Sequence, residues 1–291
     1  MRWPWSKRST AFALFAVAVI VFASFYVLRP GWHVDTLADV TPIPSLNAEL
    51  LVLDASEIVE RGPGRVVALR FHSPVEMIPY HFRDAGLSDA ATIDDWRREL
   101  DVPVVINAGQ YDEHGDHLGW LKGRGQWLSR AFREQWKALL VSGPAEGALW
   151  TGIVDLERSK PDVVEKYDHV VQSMMLVDRV DGVRVRDTDR TACRTAIAQD
   201  TEGRVLLIVT EGAVTLARFA RWLTSSGLDV VRAMNLDGGL ESQFALETEE
   251  ASLRLYGQYG SGTEVFDAGA GPLRRSLPAV IGVRVIARDE R

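Results

Sequence analysis

The sequence predicts an α+β (mixed α/β) fold: a mixed β-sheet containing a parallel strand-helix-strand unit, with helices packed on it, preceded by one transmembrane helix. Three observations lead there. A series of short apolar runs reads as strands. One amphipathic helix lies between two of those runs, the order that a parallel crossover requires. The N-terminus carries an uninterrupted apolar segment of membrane-spanning length.

That segment comes first along the chain. Ala11 to Leu28 contains no charge, and only Ser24 and Tyr26 break the aliphatic and Phe run. As a helix it spans roughly 27 Å, close to the hydrocarbon thickness of a bilayer. Arg2, Lys7 and Arg8 precede it and only Arg29 follows closely, so the positive-inside bias holds the N-terminus in the cytoplasm and exports the rest. A cleaved signal peptide would have a shorter apolar core and a small-x-small site, for which Val21-Phe22-Ala23 is a poor candidate. The expected organisation is a cytoplasmic stretch at 1–9, a signal anchor at 10–28, a linker at 29–47 containing Pro30, Pro42 and Pro44, and one domain at 48–291 on the periplasmic or extracellular side of the cytoplasmic membrane.

Composition limits what that domain does. Of the 291 residues, 46% are hydrophobic and 25% charged, the balance of an ordinary globular chain. The net charge is −7, although the first 30 residues are basic and hold no acid, so the domain itself is more acidic still. Such a body repels a phosphate backbone and excludes nucleic acid as a general partner; an anionic substrate has to be met by a few local arginines. The single cysteine, Cys193, forms no internal disulfide, is too little for a structural zinc site, and reads as a buried small residue.

The strands follow in order: Glu49–Leu53, Arg65–Phe71, Val102–Ile106, Ala148–Val154, His169–Val177, Thr195–Gln199, Val205–Thr210, Asp229–Asn235 and Ala279–Ile286. Thr92, with Asp95 three positions later, opens a helix to about Leu100. Ser129 caps a second, in which Phe132, Trp136, Leu139 and Leu140 recur at helical spacing. A third runs from about Thr215 to Ser225 with Leu216, Phe219, Ala220 and Leu223 on one face and Gly227 as its stop. Its position between Val205–Thr210 and Asp229–Asn235 suggests the parallel crossover.

Three motifs carry chemistry. In Asn235-Leu236-Asp237-Gly238-Gly239, the acid follows a strand, where open sheets place ligands, and the two glycines allow a sharp turn and close approach. Read alone, the same residues also suit a plain turn. In Asn107-Ala108-Gly109-Gln110-Tyr111, an amide with both donor and acceptor follows a strand. In Cys193-Arg194-Thr195, an arginine whose fork matches phosphate oxygens enters one.

In this order, with Gly119 of "HLGWL", "VVQSMMLVD", "CRTAIAQDTEGRVLLIVTEG", "TLARFARWL", "NLDGG" and "LPAVIGVRV", these segments resemble the phosphodiester glycosidase family from about Leu50 to Ile286. The resemblance implies a hydrolase of glycosyl phosphodiesters acting on a phosphorylated cell-surface glycan or exopolysaccharide; no cofactor and no metal ligand is assigned. It implies site positions at Asn107, Gly109, Arg194, Asp237, Gly238 and Gly239, with Ser173 joining Asn107 and the glycines in substrate binding. Met174 and Met175 stand where many members have Gly-Pro, and Gln110 replaces a usual apolar residue.

The implied reaction releases a phosphate monoester, whose second pKa of about 6 makes it a good leaving group near neutral pH. A cation to hold it and a carboxylate to steady the sugar or activate water are then required. Arg194 fits the first role and Asp237 the second. Glu241, on the same face if the segment continues as a strand, is the candidate second carboxylate. Two other classes remain open: a non-catalytic glycan binder, and a metal-dependent phosphodiesterase built on Asp112, His114, Asp116 and His117, although a hairpin turn centred on Gly115 is the simpler reading of that cluster.

Overall fold

The computed structural model describes residues 37–144, 149–261 and 274–285. The predicted membrane helix lies outside these residues. No helix among the described residues is long and apolar enough to cross a membrane.

Strands, numbered along the chain, form most of the regular secondary structure. The largest sheet has eight, in the order β1 (Leu37–Ile43), β2 (Ala48–Asp54), β3 (Arg65–Phe71), β15 (Val205–Thr210), β14 (Thr195–Asp200), β17 (Val230–Asn235), β11 (Met175–Asp178) and β12 (Gly182–Val183). A second sheet runs β19 (Ser252–Tyr256), β18 (Gln243–Glu247), β5 (Val104–Asn107), β20 (Ala279–Val285), β4 (Val75–His81). A third runs β7 (Gln126–Ala131), β6 (Gly119–Gly123), β10 (Tyr167–Ser173), β8 (Ala138–Pro144), β9 (Thr151–Asp155). A short ribbon pairs β13 (Thr191–Ala192) with β16 (Val214–Thr215). The α-helices are α1 (Ile93–Leu100) and α2 (Leu216–Leu223), each opened by a threonine hydroxyl that accepts a main-chain N–H: Thr92 from Asp95 and Thr215 from Arg218.

The alternation of a strand explains the layers. In β15, Val205, Leu207 and Val209 join Val67, Leu69, Ile106, Leu140 and Ile281 in a core shared by all three sheets. Leu206 and Ile208 point the other way, under Phe219, Trp222 and Leu223 of α2. Because both faces are covered, the central strands read as continuous apolar runs. The second sheet's outer face is closed by Ile93 and Trp96 of α1.

The predicted α+β fold with a parallel strand-helix-strand unit is corrected: each strand pairing among the described residues is antiparallel. The protein is mainly β. Strands β15 and β17 are joined through α2 as expected, but they do not pair with each other. Both pair antiparallel with β14, which lies between them. The crossover skips one strand, a detail that sequence order cannot convey.

The predicted helix after Ser129 is also absent. Ser129 lies in β7, and Leu139 and Leu140 in β8 face opposite cores. The predicted strand His169–Val177 is two strands in different sheets, broken at Met174. Residues 37–43, inside the predicted linker, form the edge strand β1, a position where Pro42 is tolerated.

Candidate active site

The segment after β17 stitches the sheets together. The N–H of Asn235 donates to the carbonyl of Met174 at 2.9 Å, that of Leu236 to Thr195 at 2.9 Å, that of Asp237 to Ala108 at 3.1 Å and that of Gly239 to Cys193 at 2.8 Å. The chain then makes a 3-10 turn, Gly239–Glu241, and enters β18 at Gln243. Corners of all three sheets therefore meet around Asp237: the end of β17, the start of β14, the end of β5 and the break between β10 and β11.

A cavity of about 380 Å³ opens at this junction, lined by Arg194, Asn235, Asp237, Gly238, Glu241 and Met174 among others. Its shape depends on the glycine pair. A β-carbon at Gly238 would stand 2.8 Å from the Cys193 carbonyl oxygen and 3.5 Å from Nη1 of Arg194. Gly239 sits at φ +75°, in the left-handed region.

Arg194 is half-buried. Its Nε donates to the Val214 carbonyl at 2.9 Å and its Nη2 to that of Arg190 at 2.8 Å, which fixes the plane of the guanidinium. No carboxylate among the described residues pairs with it, and burial lowers its pKa to about 10. A desolvated cation without a counter-ion is a prepared seat for an anion.

The carboxyl of Asp237 is its chemical counterpart. Burial pushes its pKa up to about 7, the negative charge of Glu241 adds to the rise, and the Gly238 N–H donating to Oδ1 at 3.0 Å opposes it. A carboxyl with its midpoint near neutrality suits proton transfer. Glu241 lines the same cavity, but from the 3-10 turn and not from a strand extension as the sequence suggested. Its Oε1 accepts from the Tyr111 hydroxyl at 3.2 Å and faces Nε of Arg275 at 3.3 Å. Burial, Glu241 and Asp237 all push the Tyr111 phenol upward, which keeps it a hydrogen-bond donor.

The remaining predicted residues stand behind the cavity. Asn107 is 1% exposed; its Nδ2 donates to the carbonyls of Ala108 at 3.1 Å and Asp237 at 2.9 Å, and its Oδ1 accepts the Gln243 N–H at 3.1 Å. Every hydrogen-bonding group of its amide is engaged with main chain, including that of Asp237. Gly109 makes room for His117, whose Cε1 would lie 2.7 Å from a β-carbon there. Ser173 is fully buried beside Met174, and its hydroxyl has no partner among the described residues. Sequence reasoning missed Tyr111, Arg275 and Asn235 as site residues; Asn235 was legible, since it opens the motif that contains Asp237.

The acid and histidine cluster at 112–117 forms the expected hairpin turn. Asp112 Oδ1 accepts the N–H groups of His114 at 2.9 Å and Asp116 at 3.0 Å, Asp116 pairs with Arg83, and Gly115 has φ +78°. His117 turns into the interior. The acids that do converge among the described residues are Asp155, Glu157 and Asp181, which Arg158 and Arg184 neutralise. Cys193 is buried, and its thiol donates to the Glu211 carbonyl at 3.3 Å.

A family model described as phosphodiester glycosidase matches residues 101–284. Curated proteins yield no match. Among solved structures, the catalytic domain of zebrafish N-acetylglucosamine-1-phosphodiester alpha-N-acetylglucosaminidase, auto-inhibited by its pro-peptide, aligns with a TM-score of 0.55 and 17% identity over 76% of each chain. A hypothetical protein from Synechocystis aligns with a TM-score of 0.52 and 15% identity, over 85% of this chain and 61% of that one. At these identities the two structures establish a common fold and nothing more.

Proposed function

The chain belongs to the phosphodiester glycosidase family, and we propose that it hydrolyses a glycosyl phosphodiester at the Arg194–Asp237 cavity. One observation carries the reading. A half-buried arginine with no carboxylate partner among the described residues and a carboxyl poised near neutral pH line the same cavity of about 380 Å³.

The roles follow from the chemistry. The substrate's phosphate sits against the guanidinium of Arg194, which stabilises the charge that grows on the departing phosphate monoester. The bond that breaks joins the anomeric carbon to the phosphate oxygen. Water adds to the anomeric carbon and gives its proton to the Asp237 carboxylate. Glu241, steadied by Tyr111 and Arg275, supplies negative charge beside the oxocarbenium-like sugar. The monoester leaves without needing a strong acid, which agrees with a site that contains one arginine free of a carboxylate partner and two acids.

The substrate class proposed is a phosphorylated glycan of the cell surface or an exopolysaccharide. The uncharged run from Ala11 to Leu28 supports placing the domain on the outer side of a membrane, where such polymers reside. The full chain, incubated with a panel of glycosyl phosphodiesters, should release sugar and phosphate monoester, and Asp237→Asn should slow this by about 100-fold or more. Undiminished turnover by Asp237→Asn would end the reading.

A further inference from the structure

We propose that Asn235 is a specificity-determining residue whose side-chain oxygen accepts a hydrogen bond from a hydroxyl or N–H group of the bound sugar. The inference rests on the reading of the cavity as a sugar-phosphate site.

Asn235 is the last residue of β17, is 2% exposed, and lines the cavity. Its main chain is held from both sides: its N–H donates to the Met174 carbonyl at 2.9 Å, and it pairs in register with Ala196 of β14. Its Nδ2 donates to the carbonyl of Leu236. That contact fixes which way the amide faces, because the reversed amide would set its oxygen against a carbonyl oxygen. The end left over is Oδ1, and no donor among the described residues reaches it.

A buried acceptor without a donor is costly, and proteins retain one where something else supplies the hydrogen. The chemistry of the ligand decides which part of it can do so. The phosphate of a diester is ionised and offers acceptors alone, so it belongs to Arg194 and is repelled by an amide oxygen. Sugar hydroxyls and acetamido N–H groups are donors. On this proposal the two halves of the substrate meet different groups: the guanidinium of Arg194 takes the phosphate, and the unpaired carbonyl oxygen of Asn235 takes the sugar. A site built to receive a hydrogen bond rejects an analogue that lacks the donor, because the protein group is then left unpaired.

The test is binding, measured separately from turnover. The full chain is titrated calorimetrically with the 1-phosphates of glucose, galactose, mannose and N-acetylglucosamine, then with the monodeoxy analogues of whichever binds best. Wild type, Asn235→Ala and Asn235→Ser are compared, with melting curves for each. Asn235→Ser keeps a hydroxyl for the Leu236 carbonyl, so one variant retains the local fold if alanine does not. The expected result is that removing one donor from the sugar weakens wild-type binding by about tenfold or more, whereas the folded variant binds parent and analogue alike. A folded variant that keeps the wild-type discrimination at every sugar position overturns the proposal, and marks the Asn235 oxygen as water-bound. So does a wild type that binds none of the four sugar phosphates. Binding with the expected discrimination but no hydrolysis of any diester would instead refute the hydrolase and leave the role of Asn235 standing.

Discussion

Asn107 donates a hydrogen bond to the main-chain carbonyl of Asp237 at 2.9 Å, across a sequence separation of 130 residues. The same amide accepts the N–H of Gln243, where the chain enters its next strand. Both ends of the turn that carries Asp237, Gly238, Gly239 and Glu241 are therefore fastened to a single side chain at the tip of β5. The catalytic proposal depends on that fastening as much as on the acids themselves.

Asn107→Ala removes the clasp and leaves a buried carbonyl and a buried N–H without partners. Urea unfolding should show a loss of about 2–4 kcal/mol. In the fraction that remains folded, kcat should fall more than KM rises, because the acid is displaced and the phosphate seat is not. Unchanged stability would show that the turn holds itself.

The raised pKa of Asp237 ties activity and stability to pH in opposite directions. The folded protein keeps this proton up to about pH 7, whereas the unfolded chain releases it near 3.8. The folded state is therefore favoured at low pH, and this advantage is lost as pH rises from about 4 to about 7. Asp237→Asn should match wild-type stability at pH 4 and exceed it at pH 8 by about 1–3 kcal/mol in urea titrations. Wild-type kcat/KM should climb through pH 7 as the carboxylate forms to receive the proton of water.

Arg194→Lys keeps the charge but loses the planar fork that the Val214 and Arg190 carbonyls orient. We expect kcat/KM to drop by about 10- to 100-fold and inhibition by inorganic phosphate to weaken in parallel. Equal phosphate inhibition in variant and wild type would remove Arg194 from the phosphate seat.

Gly238→Ala tests whether the turn tolerates any side chain. The added methyl meets the Cys193 carbonyl oxygen, the acceptor for the Gly239 N–H, so relief of the clash moves the main chain at the cavity floor. Stability should fall by about 1–3 kcal/mol, with activity lost more steeply than stability. Thermal melts beside initial rates separate the two.

Much of this was legible in the chain itself, for stated reasons. Strands such as Arg65–Phe71 and Val205–Thr210 were marked by apolar runs, and the start of the first helix by its threonine cap. Asp237 and Arg194 stood out because glycines and strand ends flank them. The failures have equally physical causes. Phe132, Trp136, Leu139 and Leu140 fit helical spacing, yet adjacent residues buried in two different cores produce the same pattern. Strand-helix-strand order says that β15 and β17 run the same way, but not that β14 lies between them. The amide of Asn107 has donors and an acceptor that suit a sugar as well as a main chain, so its positioning role emerged only with its partners. Tyr111 and Arg275 reach Glu241 from distant segments, and no local spacing announces that.

The central claim is that the bond from sugar to phosphate oxygen breaks at the anomeric carbon, with Asp237 directing water there. Hydrolysis of a glycosyl phosphodiester by the full chain in ¹⁸O-labelled water, followed by mass spectrometry of both products, tests it most directly. The account expects the label in the sugar and an unlabelled phosphate monoester. Label in the phosphate would mean attack at phosphorus, and would contradict it.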